Sequence, residues 1–165
     1  MNVVGSMIIF LKNLFIMNNS ETISYLAGFF DGEGSVYITK GKNSQGNPAF
    51  FLEISFTNSN REVLEYAQSL FKGKITESKD PRPLKKMVYR LRIRSNQALD
   101  ALKQMLPFLK VKKEQAKMGI KFQELLKQGS NIRFLSIEKC QNFKDLITAL
   151  NDKSPMLKIQ RKIDN

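Results

Sequence analysis

Apolar residues along the chain change their spacing from about four residues to two and back again, which predicts alternating helices and strands. Residues 20–31 keep the helical spacing, and Ser20 is suited to cap the start of that helix. Residues 35–40 and 49–57 then alternate between apolar and polar positions around the polar stretch GKNSQGNP. This pattern predicts a first helix followed by a β-hairpin.

The same order is repeated in the second half. We expect Asn60 to cap a helix ending near Phe71, and Ser95 to cap one ending near Met105. The remaining segments are two strands and two further helices, predicted over residues 73–78, 86–95, 112–127 and 134–150. The order αββαββα with extra C-terminal helices predicts an α+β fold in which helices cover one face of four strands.

The outer face of the predicted strands is rich in cations. In the last strand Lys86, Arg90, Arg92 and Arg94 alternate with apolar residues, and residues 40–94 hold twelve basic but only five acidic residues. A solvated sheet face usually mixes the two signs, whereas a cationic ribbon suits the major groove of DNA. This pattern therefore favours nucleic-acid contact over a merely solvated face.

The composition of the chain limits the partners, the metal sites and the catalytic groups that this protein can have. The net charge of +12 indicates a polyanionic partner, with nucleic acid favoured over an anionic membrane surface or a merely basic protein. The chain has no histidine and one cysteine, Cys140. These counts exclude imidazole chemistry, an internal disulfide and cysteine-rich zinc sites. Any metal must be held by oxygen ligands, which suits Mg²⁺ or Mn²⁺.

Three regions are predicted along the chain. Residues 1–17 are apolar, are interrupted by Lys12 and lack a clear targeting pattern, so we expect an extension outside the functional domain. Residues 18–152 form the predicted domain, and residues 153–165 form a basic tail.

The junction between the first helix and the first strand is unusual. Asp31-Gly32-Glu33-Gly34 places two carboxylates at a helix C-terminus, where the helix dipole disfavours negative charge. Upstream, small residues recur every four positions at Ser24, Gly28 and Gly32 with Ala27 beside them, a spacing that permits close helix approach. Packing against the protein's own core would equally account for this stripe.

The stretch LAGFFDGEGS, Leu26 to Ser35, resembles the motif of the LAGLIDADG homing endonucleases. A second stretch, LPFLKVKKEQAKMG, is similar to the family's PFL-K-KK-QA segment, and the resemblance covers residues 20–150. Only one motif copy is present, as in the single-motif branch that works as homodimers. The resemblance implies a four-stranded antiparallel DNA-binding saddle.

The resemblance also assigns roles. Glu33 would be the metal-binding carboxylate, with the carbonyl of Gly32 as a second ligand and Mg²⁺ or Mn²⁺ as the metal. The dimer interface would comprise Ser24, Ala27, Gly28 and Asp31, the last in a structural role at the helix end. Lys112 matches the active-site lysine, although a plain surface lysine would look the same. Asn58 would order water, and Arg61 is the nearest further catalytic cation.

Contacts with DNA are expected from both hairpins. We expect base-edge contacts from Arg, Asn, Gln, Glu and other polar side chains, and phosphate contacts from lysines. The candidates are Tyr37, Thr39, Lys40, Lys42, Asn43, Gln45, Glu53, Ser55, Lys79, Lys86, Arg90, Arg92 and Arg94.

The function implied by the resemblance is that of an intron-encoded endonuclease that cuts both strands of a long pseudo-palindromic DNA site across the minor groove. A maturase that binds intron RNA without cleavage is the alternative, although the intact Glu33 favours cleavage. A DNA-binding regulator is a third, which the absence of an appended helix-turn-helix domain disfavours. No membrane partner is expected. Mitochondrion, chloroplast and prokaryotic cytoplasm all remain open as compartments.

Overall fold

The computed structural model describes residues 19–79, 87–128 and 136–152, which form five helices and four strands. Helix α1 covers residues 19–33 and runs directly into strand β1. The other elements are β1 (Gly34–Lys42), β2 (Pro48–Asn58), α2 (Arg61–Phe71), β3 (Lys74–Lys79), β4 (Met87–Arg94), α3 (Ser95–Met105), α4 (Lys113–Gln128) and α5 (Ile137–Asn151).

The four strands form one antiparallel sheet in the order β1-β2-β4-β3, so the α+β prediction is confirmed. Strand β2 pairs with β1 on one side and with β4 on the other, and β3 is the outer partner of β4. One face of the sheet carries apolar residues that are buried beneath the helices, among them Leu52, Ile54, Phe56 and Leu91. The opposite face, the open face, carries the alternate residues of each strand.

The junction between α1 and β1 contains no loop. The chain passes from helix at Glu33 to strand at Gly34, and Gly34 is buried. A Cβ atom built on Gly34 would lie 2.1 Å from Cδ2 and 2.5 Å from the backbone oxygen of Phe30. Glycine is therefore required at position 34 by close packing against the last turn of α1.

The predicted helix caps have mixed outcomes. The side chain of Asn60 accepts a hydrogen bond from the N–H of Glu62, as predicted for a cap. Ser20 is not the cap, because the chain is already helical at residue 19. Ser95 is also not a cap: Arg94 occupies that position without a side-chain bond, and Ser95 is the first helical residue, with a φ of 53°.

None of the helices within the described residues is both long enough and apolar enough to cross a bilayer. The expected absence of a membrane partner was drawn from the sequence and stays a prediction.

We expect Gly34→Ala to lower the free energy of unfolding by about 1–3 kcal/mol, because the new methyl group must displace Phe30 or its backbone. Gly41→Ala on β1 is the matched comparison, since the nearest atom to a Cβ there is Cε2 of the Phe51 ring, at 3.2 Å. Urea unfolding of both variants tests this, and equal stability of the two would contradict the packing argument.

Candidate functional site

Asp31 joins the two segments of the chain that resemble an endonuclease motif. Its carboxylate accepts hydrogen bonds from the backbone N–H groups of Lys110 (2.7 Å), Val111 (3.1 Å) and Lys112 (2.9 Å). These three residues form the turn that leads into α4, whose first helical bond runs from the N–H of Ala116 to the carbonyl of Lys112. Asp31 thus lies in the last turn of α1 and at the same time binds the turn at the N-terminal end of α4.

This double position explains why a carboxylate is tolerated at a helix C-terminus. The N-terminal end of α4 presents unpaired N–H groups and a favourable dipole, which offset the unfavourable end of α1. Partial burial raises the pKa of Asp31, but the N–H bonds from Lys110, Lys112 and Val111 and the charge of Lys112 outweigh it, so the pKa lies below its ordinary value.

Lys112 is held against the C-terminal end of α1. Besides its N–H bond to the Asp31 carboxylate, its Nζ donates to the backbone carbonyl of Asp31, and the side chain is half-buried. Lys112 and Gly32 line the same open pocket, together with Gly34, Ser35, Tyr37, Val111, Gln115, Leu150 and Asn151. The structure therefore brings the predicted active-site lysine to the glycine before Glu33.

Glu33 is exposed at the last helical position of α1 and forms no ion pair with another described residue. Its carboxylate and the carbonyl of Gly32 are hard oxygen donors, which fit Mg²⁺-like cations. Within the described residues there is no cluster of three or more histidine, cysteine, aspartate or glutamate side chains that could hold a metal. The described side chains of one chain therefore supply only part of a coordination shell.

The other two predicted catalytic residues are Asn58, the last residue of β2, and Arg61, the first residue of α2. Asn58 is half-buried, and its Oδ1 accepts a hydrogen bond from the N–H of Asn60 at 2.8 Å. Arg61 does not line the pocket of Lys112. Its guanidinium pairs with Glu65 at 2.7 Å and Glu77 at 2.8 Å, and the hydrogen bond to Glu65 raises the pKa of Arg61.

The small-residue stripe of α1 divides between two environments. Ser24, Gly28 and Gly32 are exposed, and a Cβ atom on either glycine would meet nothing within 4 Å. Ala27, in contrast, is fully buried in the core of its own chain. The expectation that Ala27 forms part of a dimer surface is therefore wrong, because its position on the helix faces inward.

Three arginines follow β4 on the open face, and each lies opposite a polar residue of β2. Arg94 pairs with Glu53, Arg92 with Ser55 and Arg90 with Thr57, while Lys74 of β3 pairs with Arg92. The Nε of Arg90 donates to the Thr57 hydroxyl at 3.3 Å. Within the described part of this face, the one carboxylate is that of Glu53.

The burial of Glu53 and Ser55 contradicts the prediction that they contact base edges. Glu53 is 6% exposed and Ser55 is 3% exposed, although both belong to the open face. They lie on the central strand β2, with register partners on both sides: Tyr37 and Arg94 beside Glu53, and Ser35 and Arg92 beside Ser55. Neither residue is accessible to a base edge in this arrangement.

The predicted DNA-contact residues of β1 lie on both faces of the sheet. Tyr37 and Thr39 belong to the open face, and the Thr39 hydroxyl donates to the carbonyl of Phe51 at 3.4 Å. Lys40 and Lys42 alternate onto the opposite face, although both are exposed, and the Lys40 Nζ lies 5.9 Å from the ring centre of buried Phe50. A phosphate contact from either lysine stays a prediction.

The hairpin turn uses Asn43 for its own structure. The Asn43 Oδ1 accepts from the N–H groups of Gln45 at 3.0 Å and Asn47 at 2.9 Å, whereas the Gln45 side chain is exposed. Lys86 and the side chain of Lys79 lie outside the described residues.

Several pocket residues were not found from the sequence. Gln115, Leu150 and Asn151 reach the pocket because the end of α5 is fixed to two other elements. The Asn151 side chain donates to the carbonyl of Val36 at 2.7 Å, and the Gln115 side chain donates to that of Leu150 at 3.0 Å. No local pattern in the sequence indicates contacts between residues so far apart.

Residues 26–128 match the model of the LAGLIDADG endonuclease family. The match covers more than half of the chain, so this protein belongs to the LAGLIDADG endonuclease family. No curated protein sequence is significantly similar to the chain.

Solved structures of LAGLIDADG homing endonucleases share the fold. I-CvuI in complex with its target is 16% identical with a TM-score of 0.66, over 84% of this chain and 87% of that one. The archaeal intron-encoded I-Vdi141I complexed with DNA is 24% identical with a TM-score of 0.62, over 79% and 84%. I-SmaMI bound to cleaved DNA is 25% identical with a TM-score of 0.52, over 74% of this chain and 42% of that one.

We expect Asp31→Asn to lower the free energy of unfolding at pH 7 by about 1–3 kcal/mol, because a charged acceptor of three N–H groups is weakened. The folded-state pKa of Asp31 lies below its ordinary value of 3.8. The stabilisation is therefore complete above pH 3.8 and is lost as the pH falls through the folded-state pKa.

Urea unfolding of the wild type and the variant at neutral and acidic pH tests this, with exposed Asp100→Asn as the control. A stability difference that stays constant down to the lowest pH would argue against the Asp31 cap.

Proposed function

We propose that this protein is a site-specific DNA endonuclease that binds a long pseudo-palindromic site as a homodimer and hydrolyses both strands with divalent metal. The open face of the sheet would contact the major groove, and the pocket beside Gly32 would receive the scissile phosphate across the minor groove. An origin in a mobile intron would fit this activity.

The observation that carries this proposal is that Glu33 and Lys112 are both placed at the C-terminal end of α1. Glu33 is exposed between Gly32 and Gly34, and Lys112, which is bound to Asp31, lines one pocket with these two glycines, within a chain of the LAGLIDADG endonuclease family. Phosphodiester hydrolysis needs an activated water and a stabilised leaving oxyanion. Those two groups supply a metal ligand and a positive charge for that purpose.

Glu33 and the carbonyl of Gly32 would hold Mg²⁺ or Mn²⁺, which when bound lowers the pKa of water and neutralises phosphate charge. Two related complexes support divalent metal, since I-CvuI was solved with calcium on one target and with magnesium on uncleaved DNA. Lys112 would stabilise the charge that develops on the phosphate. The Oδ1 of Asn58 is engaged by Asn60, so its amide NH₂ is the group that would orient water.

A homodimer would provide two cleavage sites. Among the described residues, a single subunit places one exposed carboxylate, that of Glu33, beside the pocket, and cutting two strands requires two such sites. A Cβ atom on Gly28 or Gly32 would meet nothing within 4 Å among the described residues, so packing within that part of the chain does not require glycine there, whereas close approach of a second α1 would. The match to I-SmaMI covers 74% of this chain but only 42% of that one, which leaves room there for a second unit of this size.

The first experiment incubates the protein with an intron-less host-gene site and with a randomised duplex library, in Mg²⁺, Ca²⁺ or EDTA. Sequencing the ends should reveal cuts in Mg²⁺ at one long site, staggered with short 3′ overhangs. Tight binding to intron RNA without cleavage in any metal would instead identify a maturase and refute the endonuclease proposal.

We expect Glu33→Gln to reduce cleavage about 10³-fold, because losing a metal ligand removes several kcal/mol of transition-state stabilisation. Binding to the same duplex in Ca²⁺ should change by less than about tenfold. Exposed Glu138→Gln on α5 is the matched control for charge. Unchanged cleavage by Glu33→Gln would show that the proposed mechanism is wrong.

We expect Gly28→Leu to separate the dimer, because a large side chain prevents two α1 helices from approaching closely. The fold of the single chain should persist, since that position is open. Sedimentation and circular dichroism measure the two effects, with exposed Lys121→Leu on α4 as the control. A Gly28→Leu protein that still forms the same dimer would exclude α1 as the interface.

A further inference from the structure

Glu53 occupies an unusual position for an acidic residue. It lies at the centre of the open face, on β2, between Tyr37 of β1 and Arg94 of β4. Its side chain is 8% exposed, whereas those of Arg92 and Arg94 are 42% and 59% exposed. The carboxylate therefore lies beneath the two guanidinium groups.

The carboxylate contacts the inner edge of each guanidinium. Its Oε2 accepts from the Nε of Arg94 at 2.5 Å, and its Oε1 lies 4.0 Å from the Nε of Arg92. The Arg92 Nε is itself buried and has no hydrogen-bond partner among the described residues. Both arginines thus direct Nε inward, and much of each side chain remains exposed above it.

Burying a carboxylate costs free energy unless nearby cations neutralise its charge, so the buried position of Glu53 calls for a structural or functional explanation. It cannot read a base, because only 8% of its side chain is exposed. We propose that Glu53 is a positioning residue: its hydrogen bond fixes Arg94 and its charge holds Arg92 nearby, so that their Nη groups read guanines in the major groove. This inference rests on the proposed function, because it requires DNA on the open face.

The chemistry of arginine supports this role. Two donors on one guanidinium match the O6 and N7 acceptors of guanine, and a side chain fixed beforehand loses less entropy on binding. Arg90 provides an internal contrast, since its Nε has only the neutral hydroxyl of Thr57 at 3.3 Å. We therefore expect Arg90 to add affinity without strong base preference.

The test compares Glu53→Gln with wild type on two duplexes, the sequence selected from a randomised library by the wild type and a shuffled duplex of equal composition. The ratio of the two affinities should fall about tenfold or more in Glu53→Gln, since each fixed guanine contact contributes to discrimination. Affinity for the shuffled duplex should hold or rise, because the variant has one negative charge fewer. Glu124→Gln, which breaks an exposed pair with Lys103 on the helical side, is the matched control.

Two further measurements separate positioning from charge and from folding. Glu53→Asp keeps the charge but is one methylene shorter, so it should also lose specificity. In the DNA-free protein, NMR should find slow exchange of the Arg94 Nε proton in wild type and fast exchange in both variants. Thermal unfolding confirms that the variants are folded, and Glu53→Asp serves if Glu53→Gln is not.

An unchanged affinity ratio in a folded variant overturns the inference, even if the Arg94 proton exchanges faster. A wild type that prefers no sequence instead refutes the proposed site-specific binding, and the inference falls with it. A lack of sequence preference would be seen in the wild type without any variant. Failure of the proposed function can therefore be distinguished from failure of the inference about Glu53.

Discussion

The arrangement of the candidate site depends on one carboxylate with three N–H partners. Asp31 lies in the last turn of α1 and binds the turn before α4, so it joins segments about eighty residues apart in the chain. The same contact brings Lys112 to the end of α1, where its Nζ also donates to the backbone carbonyl of Asp31. The Asp31 carboxylate is engaged by these N–H groups, whereas the Glu33 side chain is exposed.

Charge is organised differently at the end of α1 and on the open face. At the end of α1 the Glu33 side chain is exposed, and the Lys112 Nζ is bound to the backbone carbonyl of Asp31. On the open face the sign is reversed, because the arginines of β4 are outermost and Glu53 is buried beneath them. A polyanion approaching this protein would meet positive charge over the sheet.

The elements could be predicted because their signals are local. Alternating apolar residues in β2 and β4 and the Asn60 cap of α2 each follow from a few neighbouring residues. The two motif segments likewise identified the family. Local rules failed for Ser95, where a residue typical of caps adopts a positive φ instead, and for Ala27, where spacing alone did not distinguish a core face from an interface.

The sequence by itself determined the α+β order and the positive charge, and it excluded histidine ligands for any metal, because composition and periodicity are properties of the chain alone. Only the tertiary structure decided which residues meet. The neighbours of Glu53 come from other strands, and Lys112 and Asn151 reach their partners from distant parts of the chain. Burial depends on these neighbours, so a glutamate suited to reading bases by type became the support beneath two arginines.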